Sequence, residues 1–413
     1  MVKPGYKETI IGILPEKWDI SELKNIFTRI EAGVSVNSDN TASSDYYVLK
    51  TSAVHNGMVD LSEIKPVIQA DYSRLKCSLQ GNSIIFSRMN TPDLVGECGY
   101  NAANVDNIFL PDRLWKICNT KPSQYNFQWL NYLLNTVNYR DAIRATATGT
   151  SNSMKNISKD RLLEIKIPVP PIDEQQKIAE ALSDMDSLIA SLKKLIAKKK
   201  AIKRGTMQEL LTGKKRLPGS TSSWRTTKLD SVCSIQAPMV DPRNTEYSML
   251  PHIGNESIEK FSGKLIHYNL VKDDHLISGK YLFTENEVLY GKINPQFAKA
   301  TYPRFMGLCS ADMYPIKCSN RLMPEYLLYI LLSEHFTEFT ISLSRRSGIP
   351  KVNREEMLEY QFSMPPISEQ QAIASILSGM DSEISALEQK LAKCRQTKQG
   401  MMQQLLTGKI RLV

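Results

Sequence analysis

Asn294 to Phe297 reads NPQF, similar to the Asn-Pro-Pro-Tyr/Phe motif with which adenine methyltransferases hold a target amino group. Glutamine stands here where the second proline belongs. A methyl donor would also need a glycine-rich strand-turn-helix, which the sequence lacks. EIK at Glu63 to Lys65 and again at Glu164 to Lys166 supplies half of a metal-nuclease motif, with no Pro-Asp partner at a suitable distance. The Gly-Lys pairs at 213, 263, 279, 291 and 408 are never followed by Ser or Thr, so there is no P-loop for ATP. His55, His252, His267, His275 and His335 show no metal-ligand spacing, and no G-x-S-x-G elbow or Cys/His nucleophile context occurs. These residues point away from catalysis by this chain and toward binding.

The chain has 413 residues, too many for one ordinary core. Its formal charge of +9 suits a polyanionic partner, because clustered Lys and Arg gain affinity by releasing the counterions of phosphate. Seven cysteines without a C-x-x-C pair fit a reducing cytoplasm rather than a disulfide framework. No signal peptide or membrane-spanning run is expected.

The elements that would position a binding surface are written twice. PPIDEQQ at Pro170 recurs as PPISEQQ at Pro365, 195 positions on, and the ungapped 48-residue overlap contains 28 identities. Both copies end alike, in LLTGKKRL and LLTGKIRL. Asp173 and Ser368 are the expected N-caps, with Gln176 and Gln371 completing capping boxes. Gly213 and Gly408 stand where a left-handed C-terminal residue is wanted. Between these signals a helix of about 40 residues, or about 60 Å, is expected. Its apolar residues follow a 4,3 spacing: Ile178, Leu182, Met185, Ile189, Leu192 and Ile196 in the first copy, Ile373, Leu377, Met380, Ile384, Leu387 and Leu391 in the second. That is a coiled-coil seam, and antiparallel pairing of the two helices is the simplest arrangement. At Lys199 and Cys394, then Lys203 and Lys398, the seam weakens before Met207 and Met402 restore it.

Fainter correspondences precede each helix. SIIFSRMN at Ser83 pairs with EVLYGKIN at Glu287, each a buried strand running into a polar, basic turn. NYLLNTV at Asn131 pairs with EYLLYIL at Glu325, and Trp18 and Trp224 each stand near the start of a unit. The expected organisation is a domain over residues 1–169, a helix over 170–217, a second domain over 218–364 and a second helix over 365–413. The two helices are expected to pair as an antiparallel coiled coil.

YKETIIGILPEKW at Tyr6, the paired PPIDEQQ and PPISEQQ, the paired LLTGK, and FSRMNTPDLVG at Phe86 together resemble the specificity subunit of type I restriction-modification systems. The resemblance covers essentially the whole chain. It implies a non-catalytic reader of double-stranded DNA, with one α/β (α+β) target recognition domain for each half of a bipartite, asymmetric site and the two domains related by a pseudo-two-fold through the helix pair. It further implies two DNA-methyltransferase subunits and motor-nuclease (restriction) subunits as partners. S-adenosylmethionine, ATP and Mg2+ would belong to those partners, and no cofactor or metal to this chain. The candidate DNA contacts come from polar, basic turns: Arg88, Asn90, Ser151, Asn152 and Lys155 in the first domain, and Lys292, Asn294, Gln296, Arg345, Arg346 and Lys351 in the second. Arg and Lys suit phosphate or guanine, and Asn and Gln suit adenine. For each, an ordinary solvated loop residue is the competing reading. The ten Lys and Arg between Lys193 and Arg216 would bring the first helix near DNA or an acidic partner, or form a solvated face. Three rivals stay open: the recognition subunit of a restriction system whose partner fuses methylation and cleavage, a catalytic adenine methyltransferase using Asn294, and a coiled-coil tether that binds no DNA. Whether the isolated chain self-associates through its helices is also open.

Overall fold

The computed structural model of the protein describes residues 3–39, 43–149, 154–235, 238–344 and 349–412. It divides into two compact units: residues up to Leu192 with those from Lys390 onward, and Lys193–Gln389.

The first unit is built on a four-stranded antiparallel sheet in the order Cys98–Asn101, Ser83–Ser87, Leu114–Cys118, Arg29–Ala32. Ser83–Ser87 is buried throughout, as its continuous apolar run requires. Ile84 and Phe86 pack with Trp115, Ile117 and the aromatic residues of α1 (Phe127–Leu134), where Trp129 is fully buried. Next come α2 (Val137–Ala145) and the short α3 (Lys159–Leu163). A second sheet, ordered Ile64–Pro66, Tyr47–Leu49, Val105–Phe109, Ser78–Leu79, has its own small core around Leu49, Leu79 and Ile108. Strand Lys166–Val169 pairs with Asp19–Glu22 and delivers the chain to α4 (Ile172–Leu211).

The second unit repeats the plan. Glu287–Gly291 is the wholly buried strand of a sheet ordered Cys233–Ser234, Met313–Cys318, Glu287–Gly291, Ala300–Thr301. α5 (Pro324–Leu331) and α6 (Glu334–Leu343) follow, then α7 (Arg354–Leu358). Gln361–Met364 pairs with Arg225–Lys228 before α8 (Ile367–Leu405) begins.

The long helices supply residues to both units. In the first, α4 runs antiparallel to the end of α8, with Asp186 against Lys398 and Glu174 against Arg411. In the second, the end of α4 meets the start of α8 in the same way, with Lys203 against Asp381 and Arg216 against Glu369. Along the seam Ile178, Leu182, Ile189, Leu192, Ile196, Ile373, Leu377, Ile384 and Leu391 are buried, while Met185, Met380 and Leu387 are half-buried. Lys203 and Lys398 sit at seam positions and carry carboxylate partners. Four cations of the basic run in α4 and its C-terminal tail, Lys199, Lys200, Lys203 and Arg216, pair with Glu383, Glu388, Asp381 and Glu369 of α8. Part of that basic run is therefore matched to the acids of the opposing helix.

The expected capping boxes do not form. α4 begins at Ile172 and α8 at Ile367, which puts Asp173 and Ser368 inside the first turn. The carbonyls of Pro171 and Pro366 accept the first helical N–H groups instead. The exits are as expected: Gly213 and Gly408 take φ of 71° and 69°, a region that strongly favours glycine. A Cβ on Gly408 would lie 2.6 Å from Pro15, and one on Gly213 would lie 3.2 Å from the Trp224 ring. Gly408→Ala is therefore expected to cost about 3 kcal/mol and Gly213→Ala about 1–2 kcal/mol, the order being set by the rigid proline. Chemical denaturation of the two variants checks the ranking.

Candidate nucleic-acid interface

In each unit the buried central strand ends in a turn that carries basic and amide side chains. In the first unit Met89–Asn90 pairs with Lys155–Ile157, placing Asn90 opposite Lys155, and the Ile157 N–H donates to the Arg88 carbonyl. In the second, Ile293 bridges Lys351, and the Val352 N–H donates to the Lys292 carbonyl. The same backbone hydrogen bond thus gathers Arg88, Asn90 and Lys155 in one unit and Lys292, Asn294 and Lys351 in the other. Ser151, Asn152, Arg345 and Arg346 lie outside the described residues.

The gathered side chains differ in availability. Asn90 is buried: its Nδ2 donates to Ser87 Oγ at 3.2 Å and its Oδ1 accepts from the Thr91 N–H at 2.9 Å. Its amide fixes the turn. Arg88 is half-buried, with its guanidinium 5.7 Å from the Trp115 ring centroid and its Nε buried without a hydrogen bond. Lys155 Nζ donates to the Gly149 carbonyl.

In the second unit, Lys292 Nζ donates to the Ala311 carbonyl and lies 5.5 Å from the Tyr314 ring, which Arg354 also approaches. Asn294 and Ala298 adopt left-handed conformations (φ 53° and 40°) on either side of the short turn Pro295–Phe297, whose exposed residue is Gln296. Such backbone persists where its surroundings hold it. Here the Asn294 N–H donates to Pro350, the Phe261 N–H donates to Phe297, and Lys299 donates to Asn255. Lys260, not singled out from the sequence, stands 3.8 Å from the Phe297 ring centroid. Nothing in its local sequence marks it, since only the fold brings its turn to the NPQF segment. If these lysines face phosphate, Lys292→Ala and Lys351→Ala each weaken duplex binding several-fold on all sequences. Each also lowers the slope of log affinity against log salt by about 0.9, which a salt titration by fluorescence anisotropy measures.

The duplicated helix starts have a structural task that the capping reading missed. Glu174 is buried and receives Trp18 Nε1 at 2.9 Å and Arg411 Nε and Nη2 at 2.6 and 2.7 Å. Glu369 receives Trp224 Nε1 at 2.9 Å and Arg216 Nε and Nη2 at 2.9 Å each. Burial raises both carboxyls, but hydrogen bonds from Arg and Trp outweigh it and hold them below the usual glutamate range. Gln175 accepts from the Asn126 N–H and donates to the carbonyls of Gln124 and Pro170. Gln370 accepts from the Met323 N–H and donates to those of Arg321 and Pro365. Each recognition domain is thereby tied to the helix that follows it and to the end of the other helix.

Among the described residues no group of three or more His, Cys, Asp or Glu is placed to hold a metal, and no helix is long and apolar enough to cross a membrane. Burial pushes the Cys98 and Cys233 thiols up to about 12, so they are poor nucleophiles at neutral pH.

The profile of the type I restriction modification DNA specificity domain matches this chain twice, at residues 15–201 and 221–394. The chain belongs to the type I restriction-modification specificity family. Within that family it is 22% identical over 428 residues to the MjaX specificity subunit of Methanocaldococcus jannaschii, spanning 99% of this chain and 97% of that one. It is 24% identical over 302 residues to the EcoDI specificity subunit of Escherichia coli, covering 65% and 67% of the two chains. The fold is shared with the crystal structure of the type I restriction-modification S subunit from M. genitalium, with a TM-score of 0.60, 14% identity and coverage of 94% and 96%. Each specificity-domain match takes in one central strand, its turn and the Glu-Gln-Gln start of one long helix.

Proposed function

We propose that this chain is the non-catalytic, cytoplasmic DNA-reading subunit of a modification and restriction complex. Each recognition domain reads one half of a bipartite, asymmetric duplex site. The chain carries two adenine-N6 methyltransferase subunits, which use S-adenosylmethionine, and motor-nuclease subunits, which use ATP and Mg2+. One observation carries the reading: the Trp-Glu-Arg anchor is the same in both units, Trp18, Glu174 and Arg411 against Trp224, Glu369 and Arg216, while the turns after the central strands differ, TPDLVG at Thr91 against PQFA at Pro295. A frame kept constant beneath two different faces is what reading two different half-sites requires.

The chain purified with its methyltransferase subunits, given a random DNA library and sequenced for N6-methyladenine, is expected to mark one site made of two half-sites at a fixed gap. A single contiguous motif, or none, contradicts the proposal. Inserting seven residues into each long helix, about 10 Å of added helix, is expected to lengthen the gap by about three base pairs and leave both half-site sequences unchanged. An unchanged gap contradicts the role of the helices as a ruler.

A further inference from the structure

Each recognition domain meets the helices at a second polar junction. It lies twelve residues beyond the buried glutamate, at Asp186 and Asp381, or about 18 Å along the helix. Asp186 of α4 accepts from Lys398 Nζ of α8 at 2.6 and 2.8 Å and from the Tyr132 hydroxyl of α1 at 2.8 Å. Asp381 of α8 accepts from Lys203 Nζ of α4 at 2.5 Å and from the Tyr329 hydroxyl of α5 at 2.9 Å. The ammonium lies 5.2 Å from the Tyr132 ring centroid in one junction and 5.4 Å from Tyr329 in the other. Burial and the facing carboxylate push both phenols up, so each remains a donor. A domain, its own helix and the opposite helix therefore meet at one carboxylate, in both units.

We propose that Tyr132, Asp186 and Lys398, with Tyr329, Asp381 and Lys203, are positioning residues that fix the pitch of each recognition domain on the helices and so the gap between the half-sites. This rests on the reading of the chain as a bipartite DNA reader. A domain held at the helix entrance alone can pivot about that point, and a second attachment about 18 Å away removes the pivot. Stability alone does not account for the lysines. An apolar side chain at a seam position generally stabilises a helix pair at least as well as a partly buried ion pair, whereas one polar residue in a seam specifies register. Sliding the second helix by one heptad places Lys398 opposite Ala179 and Lys203 opposite Ala374, and both alanines are buried. Neither lysine then has an acceptor.

The test uses the full chain carrying Lys203→Met, Lys398→Met, Tyr132→Phe and Tyr329→Phe, with both entrance glutamates intact. Spin labels on unnatural ketone-bearing residues, in separate samples with the cysteines untouched, report the distance between α2 and α8 at exposed Val137 and Lys393, and the distance between α6 and α4 at exposed Glu338 and Lys198. The native chain is expected to give one narrow distance in each unit and the variant a broad distribution, both measured well below the variant's melting temperature. In the methyltransferase complex, methylation at the native gap is expected to fall by about tenfold or more, since a misplacement of about 1 Å can cost that much in rate. Sites one base pair longer or shorter are expected to gain methylation. Exchanging the charges, Asp186→Lys with Lys398→Asp and Asp381→Lys with Lys203→Asp, is expected to restore the narrow distance. A narrow distance in the Met/Phe variant, or failure of the exchanged pairs to restore it, overturns the proposal. If the native complex methylates no bipartite site, it is the functional reading that fails, and the distance measurement still judges the junctions. If the Met/Phe variant does not fold, Tyr132→Phe with Tyr329→Phe alone, which deletes only two hydroxyls, is measured in its place.

Discussion

Glu174→Ala lowers the unfolding free energy by about 3 kcal/mol, and Glu369→Ala does the same in the second unit. In each case the substitution removes the one carboxylate that satisfies a bidentate arginine and a tryptophan N–H, leaving those donors in a site closed to most water. The figure sits at the lower end for a broken buried pair because Arg411 and Arg216 keep some contact with solvent. The pH dependence has a definite sign. Both carboxyls are held below their ordinary value in the folded chain, so the native state binds fewer protons than the unfolded one there. The stabilisation is complete above the ordinary glutamate pKa, about 4.3, and is lost as pH falls through the lowered folded value. Urea titrations of native chain and variant at pH 7 and again in acid should show a gap that closes at low pH. A gap independent of pH would mean that packing, rather than the charged pair, holds the joint.

Gln175→Leu and Gln370→Leu keep the side-chain volume while deleting three hydrogen bonds each, and a loss of about 3 kcal/mol is expected for either. Gln175 is fully buried, so its removal strands the Asn126 N–H and the carbonyls of Gln124 and Pro170, and each orphaned group costs about 1 kcal/mol or more. The next residue supplies the control. Gln176 and Gln371 are exposed, and Gln176→Ala and Gln371→Ala are expected to change stability by no more than about 0.5 kcal/mol. Thermal denaturation of the four variants tests the claim that two adjacent glutamines of one motif differ this much.

The long helices, their seam and their glycine exits were legible because each rests on local rules: 4,3 spacing, length, and the backbone freedom of Gly213 and Gly408. The entrance was misread for a physical reason. Asp173 with Gln176 satisfies the local pattern of a capping box, but the two residues between them are engaged by groups distant in sequence, Arg411 and Trp18 with Glu174 and the Asn126 backbone with Gln175. The repeat did hold a usable signal. Glu174, Gln175, Asp186, Lys203 and Arg216 are all identical in the second copy although none is apolar, and a solvated helix face would have no reason to preserve them. Availability at the recognition turns was not legible. Asn90 and Gln296 are both amides in polar turns, yet one closes on Ser87 and Thr91 while the other stands in solvent. Only the three-dimensional course of the turn separates them.

The central claim, that this chain chooses where a genome is methylated, is tested most directly by mapping N6-methyladenine in the source cell with and without the gene, partner genes intact. The account predicts that one bipartite motif loses methylation throughout the genome in the deletion and regains it when the gene is returned. A map unchanged by the deletion, with the methyltransferase subunits present and active on DNA, would contradict it.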